Sequence, residues 1–178
     1  LANQHFRFYD DDIAEGITMT GQLVIRDTAK ALDDYMNKVC GTEDEMYSFY
    51  SDTDSCYVTC KNLVENFFPD KGVDKTVELL DKIGTDKIEP AIDQAMTKLA
   101  NYTNAFENKI FFKREVIADK GIFVAKKRYA LNVLDDEGLR LQKAKLKVMG
   151  LEIVRSSTPG PIRESLREAV RLILTSTQ

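Results

Sequence analysis

An α+β domain is what this sequence predicts, and three observations predict it. Apolar residues recur at helical spacing between Ile13 and Val39, and again between Val73 and Tyr102. Between these stretches, an aromatic and β-branched run from Phe49 to Val58 is interrupted by small polar residues, as in a hairpin. From Asn108 onward the period shortens to that of strands. Helices, a hairpin, more helices and then consecutive strands imply a mainly antiparallel sheet with helices on one face and the other face left free. With 178 residues, 43% of them hydrophobic, the chain can bury a core. No run reaches the ~18 apolar residues that a membrane-spanning helix requires.

Taken in order, Asp10-Asp11-Asp12 precede the first helical stripe, and Asp12 with Glu15 forms a candidate capping box. The stripe is Ile13, Ile17, Val24, Leu32, Tyr35, Met36 and Val39, with Gly41 placed for a left-handed C-terminal cap. Gly16 and Gly21 each weaken a helix interior by about 1 kcal/mol, which implies close approach to a neighbouring element. The hairpin follows, with arms Met46 to Tyr50 and Ser55 to Cys60. Pro69-Asp70-Lys71-Gly72 is turn chemistry, and Val73, Val77, Leu80 and Ile83 mark an amphipathic helix closed by Gly84. Ile88, Ile92, Ala95, Met96, Leu99 and Tyr102 mark another, which tolerates Pro90 only in its first turn or at a kink. Strands are expected at Ile110 to Ala118, Ile122 to Ala125 and Arg128 to Leu134, followed by a turn at Asp135-Asp136-Glu137-Gly138. Finally, Thr158 reads as a cap and Pro159 as the first position of a helix whose stripe is Ile162, Leu166, Ala169, Val170 and Ile173.

Composition narrows the chemistry. Cys40, Cys56 and Cys60 form no Cys-x-x-Cys pair and His5 is far from them in sequence, so neither a disulfide framework nor a zinc site is indicated, and the chain reads as cytoplasmic. There is no Gly-rich phosphate loop and no internal repeat. The net charge of -4 hides a split, because residues 1–112 carry 11 Lys/Arg against 21 Asp/Glu and residues 113–178 carry 14 against 8. A basic half beside an acidic one suits a protein that grips a phosphate backbone and collects metal; ordinary surface charge is the plain alternative. The first residue is Leu and no secretory signal is evident, so the sequence reads as part of a longer polypeptide.

Asp52 and Asp54 carry the candidate chemistry. In an extended strand, residues i and i+2 share a face, so the two carboxylates would project together. Like charges that close repel, and a hard divalent ion with oxygen ligands, such as magnesium, relieves the repulsion. Asp-x-Asp is also ordinary turn composition, and both readings stand on the residues alone.

The block Tyr50-Ser51-Asp52-Thr53-Asp54-Ser55 resembles motif C of family B DNA polymerases. Lys126-Lys127-Arg128-Tyr129 and Lys145-Leu146-Lys147-Val148-Met149-Gly150-Leu151-Glu152, followed by Ser156-Ser157-Thr158-Pro159, resemble the T-even phage branch of that family in the same order. Phe6 to Asp10, Ala14 to Thr18 and Asn37 to Thr42 extend the likeness over nearly the whole chain. The resemblance implies a polymerase palm over residues 1–155 and the start of the thumb helix over 156–178. It implies template-directed DNA synthesis by two-metal nucleotidyl transfer, with Mg2+ as cofactor and primer-template DNA and deoxynucleoside triphosphates as partners. The exonuclease, fingers and remaining thumb would lie elsewhere in the parent polymerase, so the isolated chain is expected to be inactive. Asp54 and Asp52 would be the catalytic metal ligands. Glu115 would approach the metal, directly or through water, or else stand as a solvent-facing acid beside Arg114. Lys126, Lys127, Arg128, Tyr129, Lys145 and Lys147 would contact DNA, with Lys127 and Tyr129 sharing a strand face. A non-catalytic DNA- or metal-binding module of palm shape is the competing class. Two departures from the family are Ser51, where Gly is frequent, and Cys56, where an aliphatic residue is usual.

Overall fold

The computed structural model describes residues 1–176; Thr177 and Gln178, the end of the expected thumb segment, lie outside the described residues. Asp10 rather than Asp12 starts the first helix, because its carboxylate accepts the Ile13 N–H at 2.9 Å. The helix α1 spans Asp11–Cys40, with Asp11 and Asp12 in the first turn, where the helix dipole favours negative charge. Gly41 ends it at φ 69 and returns its N–H to the Asn37 carbonyl. The buried positions, Val24, Thr28, Leu32 and Met36, all lie beyond the first third of the helix. Ile13, Ile17 and Met19 are exposed, and a Cβ at Gly16 or Gly21 would meet nothing within 4 Å. These glycines therefore do not serve the close approach that their sequence position suggests.

The chain divides into two compact units, and the sequence boundary at residues 155/156 falls inside the second. The first unit comprises Leu1–Lys71 and Ile83–Lys113. In it, β1 (Ser48–Asp52) pairs antiparallel with β2 (Ser55–Val58), and α2 (Lys61–Phe67) follows. Gly84 does not close a helix but opens a π-helical turn, Gly84–Ile88, ahead of α4 (Glu89–Tyr102), with Pro90 in the first turn as its missing N–H requires. Val24 and Leu32 of α1 pack with Ile92, Met96 and Leu99 of α4, and Cys56 and Val58 of β2 lie against that cluster. Ile110 and Phe112 join it as well. Their alternation was expected to mark a strand, but residues 110–115 form no strand, and the alternate side chains of Ile110 and Phe112 pack on the helical core instead.

The second unit comprises Gly72–Lys82 and the chain from Arg114 onward. The helix α3 spans Val73–Ile83 as its stripe predicts. The strands β3 (Val116–Ala125), β4 (Arg128–Asp136) and β5 (Leu139–Met149) form an antiparallel meander in that order. Residues 119–121, expected to break β3, are absorbed by register irregularities within it. Glu137 and Gly138 join β4 to β5 with φ 52 and 86, the doubly left-handed turn that matches strand twist. A short 3-10 turn, Glu152–Val154, precedes α5 (Gly160–Thr175), which begins after Pro159, so Thr158 is not its cap. An apolar cleft of about 370 Å³ is lined by Ile122, Val124, Ala130, Leu151, Val170 and Ile173. Ile162 and Ile173 of α5 remain largely exposed, whereas Leu174 is buried.

Side chains paired across the meander share a face. Tyr129, Leu131 and Val133 of β4 stand opposite Met149, Lys147 and Lys145 of β5, and Ala130 stands opposite Ile122 on the face towards α5. Consecutive residues Tyr129 to Val133 are all buried, so β4 is covered on both faces rather than left bare on one.

Asp135 is wholly buried and serves as a hub. It accepts Arg114 Nη1 at 2.6 Å, the Gly138 N–H at 2.9 Å and Arg140 Nε at 3.3 Å. Arg114 also donates to Asp81, and Arg140 Nη1 reaches the Asp74 carbonyl at 2.8 Å, so α3 is tied to the sheet. Burial pushes the Asp135 carboxyl up, but the hydrogen bonds and charge of Arg114, with the Gly138 amide, outweigh it and hold the group below its ordinary value. Among the described residues, no helix is long and apolar enough to cross a membrane.

Candidate active site and nucleic-acid contacts

The β1–β2 hairpin closes in a two-residue turn. Asp52 pairs with Ser55, leaving Thr53 and Asp54 at the tip. Thr53 takes φ 55, a left-handed angle that a β-branched residue adopts only under constraint. Its hydroxyl lies 3.2 Å from Asp52 Oδ1, and the Asp54 N–H donates to the Asp52 carbonyl at 2.6 Å. The two acids therefore do not stand at i and i+2 on one strand: Asp52 ends β1, half-buried, and Asp54 sits exposed in the turn. Both belong to the same tight turn, Asp52 flanking it and Asp54 within it, rather than to one strand face. Ser51 lies within β1 and the left-handed residue is Thr53, so the angle for which glycine would be needed at 51 is not used. Tyr50 and Tyr57, directly paired, meet edge to face at 5.5 Å and stiffen the arms. Cys56 fills its place as a small apolar group, and burial pushes its thiol up.

Two carboxylates at an exposed tip supply hard oxygen donors of the kind that suits magnesium. Among the described residues, no three His, Cys, Asp or Glu side chains gather at metal-holding distances, so the tip offers part of a ligand set. Glu115 lies in the second unit just before β3, largely exposed, with its carboxylate 3.7 Å from Lys147 Nζ.

The basic residues take three different settings. Lys126 and Lys127 are not strand residues but the two-residue turn between β3 and β4, since Ala125 pairs with Arg128. Both are exposed, and Lys127 takes φ 59. Lys127 and Tyr129 therefore do not share a strand face. Tyr129 is 4% exposed, with its ring stacked on Phe123 at 5.4 Å. Arg128 Nη2 lies 2.8 Å from each carboxylate oxygen of Glu152. The Glu152 carboxyl is lowered, first by its own backbone N–H and then by the charges of Arg128 and Arg155. Lys145 and Lys147 do share a face of β5; Lys145 Nζ is 3.0 Å from Asp136.

Gly150 holds the Lys126–Lys127 turn, a role that sequence reasoning missed. It has φ +64, and a Cβ built there would lie 2.0 Å from the Lys127 carbonyl oxygen, closer than any side chain permits. Only glycine can take that position. The sequence signal was a Gly directly after a strand, which is too common to single out.

Comparison with known proteins fits this arrangement. The chain is 40% identical over 184 aligned residues to the DNA-directed DNA polymerase of Escherichia phage RB69, and 41% identical over the same length to that of Enterobacteria phage T4. Each alignment takes in 98% of this chain.

Along nearly its whole length the chain is similar to phage DNA polymerases of family B.

The chain spans about 20% of the length of each phage relative. It is also 29% identical, over 98% of its own length and 8% of the relative's, to a DNA polymerase of Methanocaldococcus jannaschii. No protein-family model matches the chain. The blocks quoted above from Phe6 to Pro159 fall on both structural units, so the family likeness takes in the acidic tip and the basic turn alike.

Proposed function

We propose that this chain is the palm segment, with the start of the thumb, of a template-directed DNA polymerase acting in the host-cell cytoplasm, and that the β1–β2 tip is its part of the catalytic centre. The observation that supports this most is the conjunction of 40–41% identity to phage DNA polymerases with two aspartates presented at one tight hairpin tip. Asp54, exposed in the turn, is the principal ligand for Mg2+. Asp52 is the weaker one, its carboxylate already engaged by the Thr53 hydroxyl. Bound there, the divalent ions would stabilise the attacking and leaving oxygens of nucleotidyl transfer; polymerases are a standing example of that chemistry. Further ligands come from parts of the polymerase outside this chain, with Glu115 a peripheral acid that Lys147 restrains.

Lys126 and Lys127 present their ammonium groups from the β3–β4 turn to the phosphate backbone or groove of primer-template DNA, and Lys145 and Lys147 add charge from β5. Such contacts position the duplex without choosing sequence, as a copying enzyme requires. Arg128 and Tyr129 act behind that turn, Arg128 locked to Glu152 and Tyr129 packed on Phe123. Deoxynucleoside triphosphates and the exonuclease, fingers and thumb complete the working enzyme.

Asp54→Asn in the polymerase carrying this chain tests the assignment. Single-turnover nucleotide addition is expected to fall by at least about 10³-fold, the scale of losing a charge-stabilising group at a reacting centre, with primer-template affinity retained. A normal rate at saturating magnesium would remove Asp54 from the metal site.

A further inference from the structure

The base of the β1–β2 hairpin is held by a carboxylate on another element. Asp33, half-buried on α1, accepts the Tyr47 N–H at 2.9 Å and the Ser48 N–H at 2.7 Å through Oδ1, and the Ser48 hydroxyl at 2.7 Å through Oδ2. One turn on, Asn37 donates to the Asp33 and Glu45 carbonyls at 2.9 and 2.8 Å and accepts from the Glu45 N–H at 3.0 Å and the Thr42 hydroxyl at 2.7 Å. The wholly buried Tyr47 places its hydroxyl 2.9 Å from Thr42 and 3.1 Å from Asn62. The chain entering β1 is therefore clamped to α1 before the hairpin begins.

The clamp matters because base and tip follow different registers. At the base, Thr59 N–H donates to the Tyr47 carbonyl at 2.9 Å and Ser48 pairs with Val58. Continued regularly, that register would set Tyr50 opposite Cys56 and Ser51 opposite Ser55, and would leave Asp52 inside a wider turn. The observed pairs are Tyr50 with Tyr57, Ser51 with Cys56 and Asp52 with Ser55, one residue out of step, and Phe49 is the extra residue that absorbs the difference. Losing the bulge would slip one arm past the other by a residue, and a one-residue slip turns each side chain to the opposite face. Two backbone N–H groups converging on one carboxylate oxygen are what keep the base from sliding into the register of the tip.

We propose that Asp33 is a positioning residue, one that fixes the bulged register of the β1–β2 hairpin and so sets where Asp52 and Asp54 stand. The inference rests on reading that tip as catalytic. It needs no contact between Asp33 and substrate.

The test uses the polymerase carrying this chain, with Asp33→Ala, Asp33→Asn and Ser48→Ala, and Asp54→Asn as reference. Asp33→Ala is expected to slow single-turnover addition about 10²-fold, the effect of displacing a catalytic group by ~1 Å, without weakening primer-template binding. Amide hydrogen exchange should quicken over residues 50–58 while residues 24–36 of α1 stay protected. Asp33→Asn keeps an oxygen acceptor for both N–H groups and should restore most of the rate, with Ser48→Ala intermediate. Normal addition by Asp33→Ala overturns the proposal, as does slow addition with hairpin protection unchanged, or a loss shared equally by Asp33→Asn. Should Asp33→Ala fail to fold, Ser48→Ala decides: slower addition with a loosened hairpin supports the proposal, and unchanged rate and protection sink it. A normal rate in Asp54→Asn instead overturns the catalytic reading of the tip, which these exchange measurements do not touch.

Discussion

Two hairpin tips, one in each unit, solve the same backbone problem with opposite charge. Thr53-Asp54 and Lys126-Lys127 are both two-residue turns, and each sets one non-glycine residue in the left-handed region, at φ 55 and φ 59. The β4–β5 turn, which carries no proposed function, puts Gly138 where the angle is most positive. The left-handed non-glycine residue of each tip, like Glu137 at φ 52 in the β4–β5 turn, costs roughly 1–2 kcal/mol, and the two proposed functional tips contain no glycine beside it. They differ in support. The acidic tip is steadied from its far end, by Asp33 at the base of β1, and the basic tip at the turn itself, by the backbone of Gly150. Charge follows the division, since the first unit holds 10 Lys/Arg against 18 Asp/Glu and the second 15 against 11. The charge division suits the roles proposed above, cations at one tip and a polyanion at the other.

The strongest way to break this contrast is to remove the scaffold of the basic tip. Asp135→Ala leaves Arg114 without its buried counter-charge and should cost about 3–5 kcal/mol, the usual loss when one member of a buried ion pair is deleted. Exchange at β4 and β5 amides reads the effect, and the contrast fails if β1 and β2 loosen in step. The same carboxylate makes the meander acid-labile. Its folded value lies below the ordinary 3.8, so the unfolded chain binds the proton more readily. Its stabilisation is therefore complete above that range and is lost as pH falls through the folded value. β4 protection measured down a pH series should fall there, and in Asp135→Asn that acid-dependent part of the loss should be missing.

Gly150→Ala comes next. The added methyl must displace the Lys127 carbonyl, and with left-handed strain and overpacking the expected cost is about 2–4 kcal/mol by urea unfolding. An unchanged midpoint would show that the turn is not held from Gly150. Smallest in effect is Lys127→Ala, which should leave stability alone and weaken primer-template binding about equally across duplex sequences. The slope of log affinity against log salt should fall by about one. A loss confined to certain sequences would mean that the basic tip reads bases.

Much of the fold was legible because local periodicity and local chemistry agreed. The α3 stripe, the Gly41 cap and the Glu137-Gly138 turn each depend on residues within a few positions of one another. The hairpin bearing Asp52 and Asp54 was visible too, although its first arm is shifted two residues along the chain and its second ends two residues earlier than composition implies. What sequence could not carry was tertiary. Ile110 and Phe112 alternate as a strand does because they line a helix-packed core, and alternation alone cannot say what lies across from it. Lys126 and Lys127 read as strand because turns are recognised by Gly, Asn or Asp, and a left-handed lysine leaves no trace in composition. Asp33 lies 14 and 15 residues from the amides it holds, and Arg114 lies 21 and 33 residues from its two acids. No local pattern marks partners at those separations.

The interleaving of the two units has a consequence for how the chain is made and taken apart. Residues 72–82 belong with the sheet that starts after residue 113, while 83–113 return to the unit already begun. As the polypeptide emerges from a ribosome, α3 is delivered some thirty residues before Arg114, the side chain that will hold its Asp81. Closing a loop of that size costs roughly 3 kcal/mol in chain entropy, and the ion pairs of Arg114 and Arg140 must offset it. A protease meets the same topology from outside. A single cut near residue 82 divides both units between the two fragments, whereas a cut near residue 113 leaves the first unit continuous but carries residues 72–82 of the second away with it, so no one scission separates the two units cleanly.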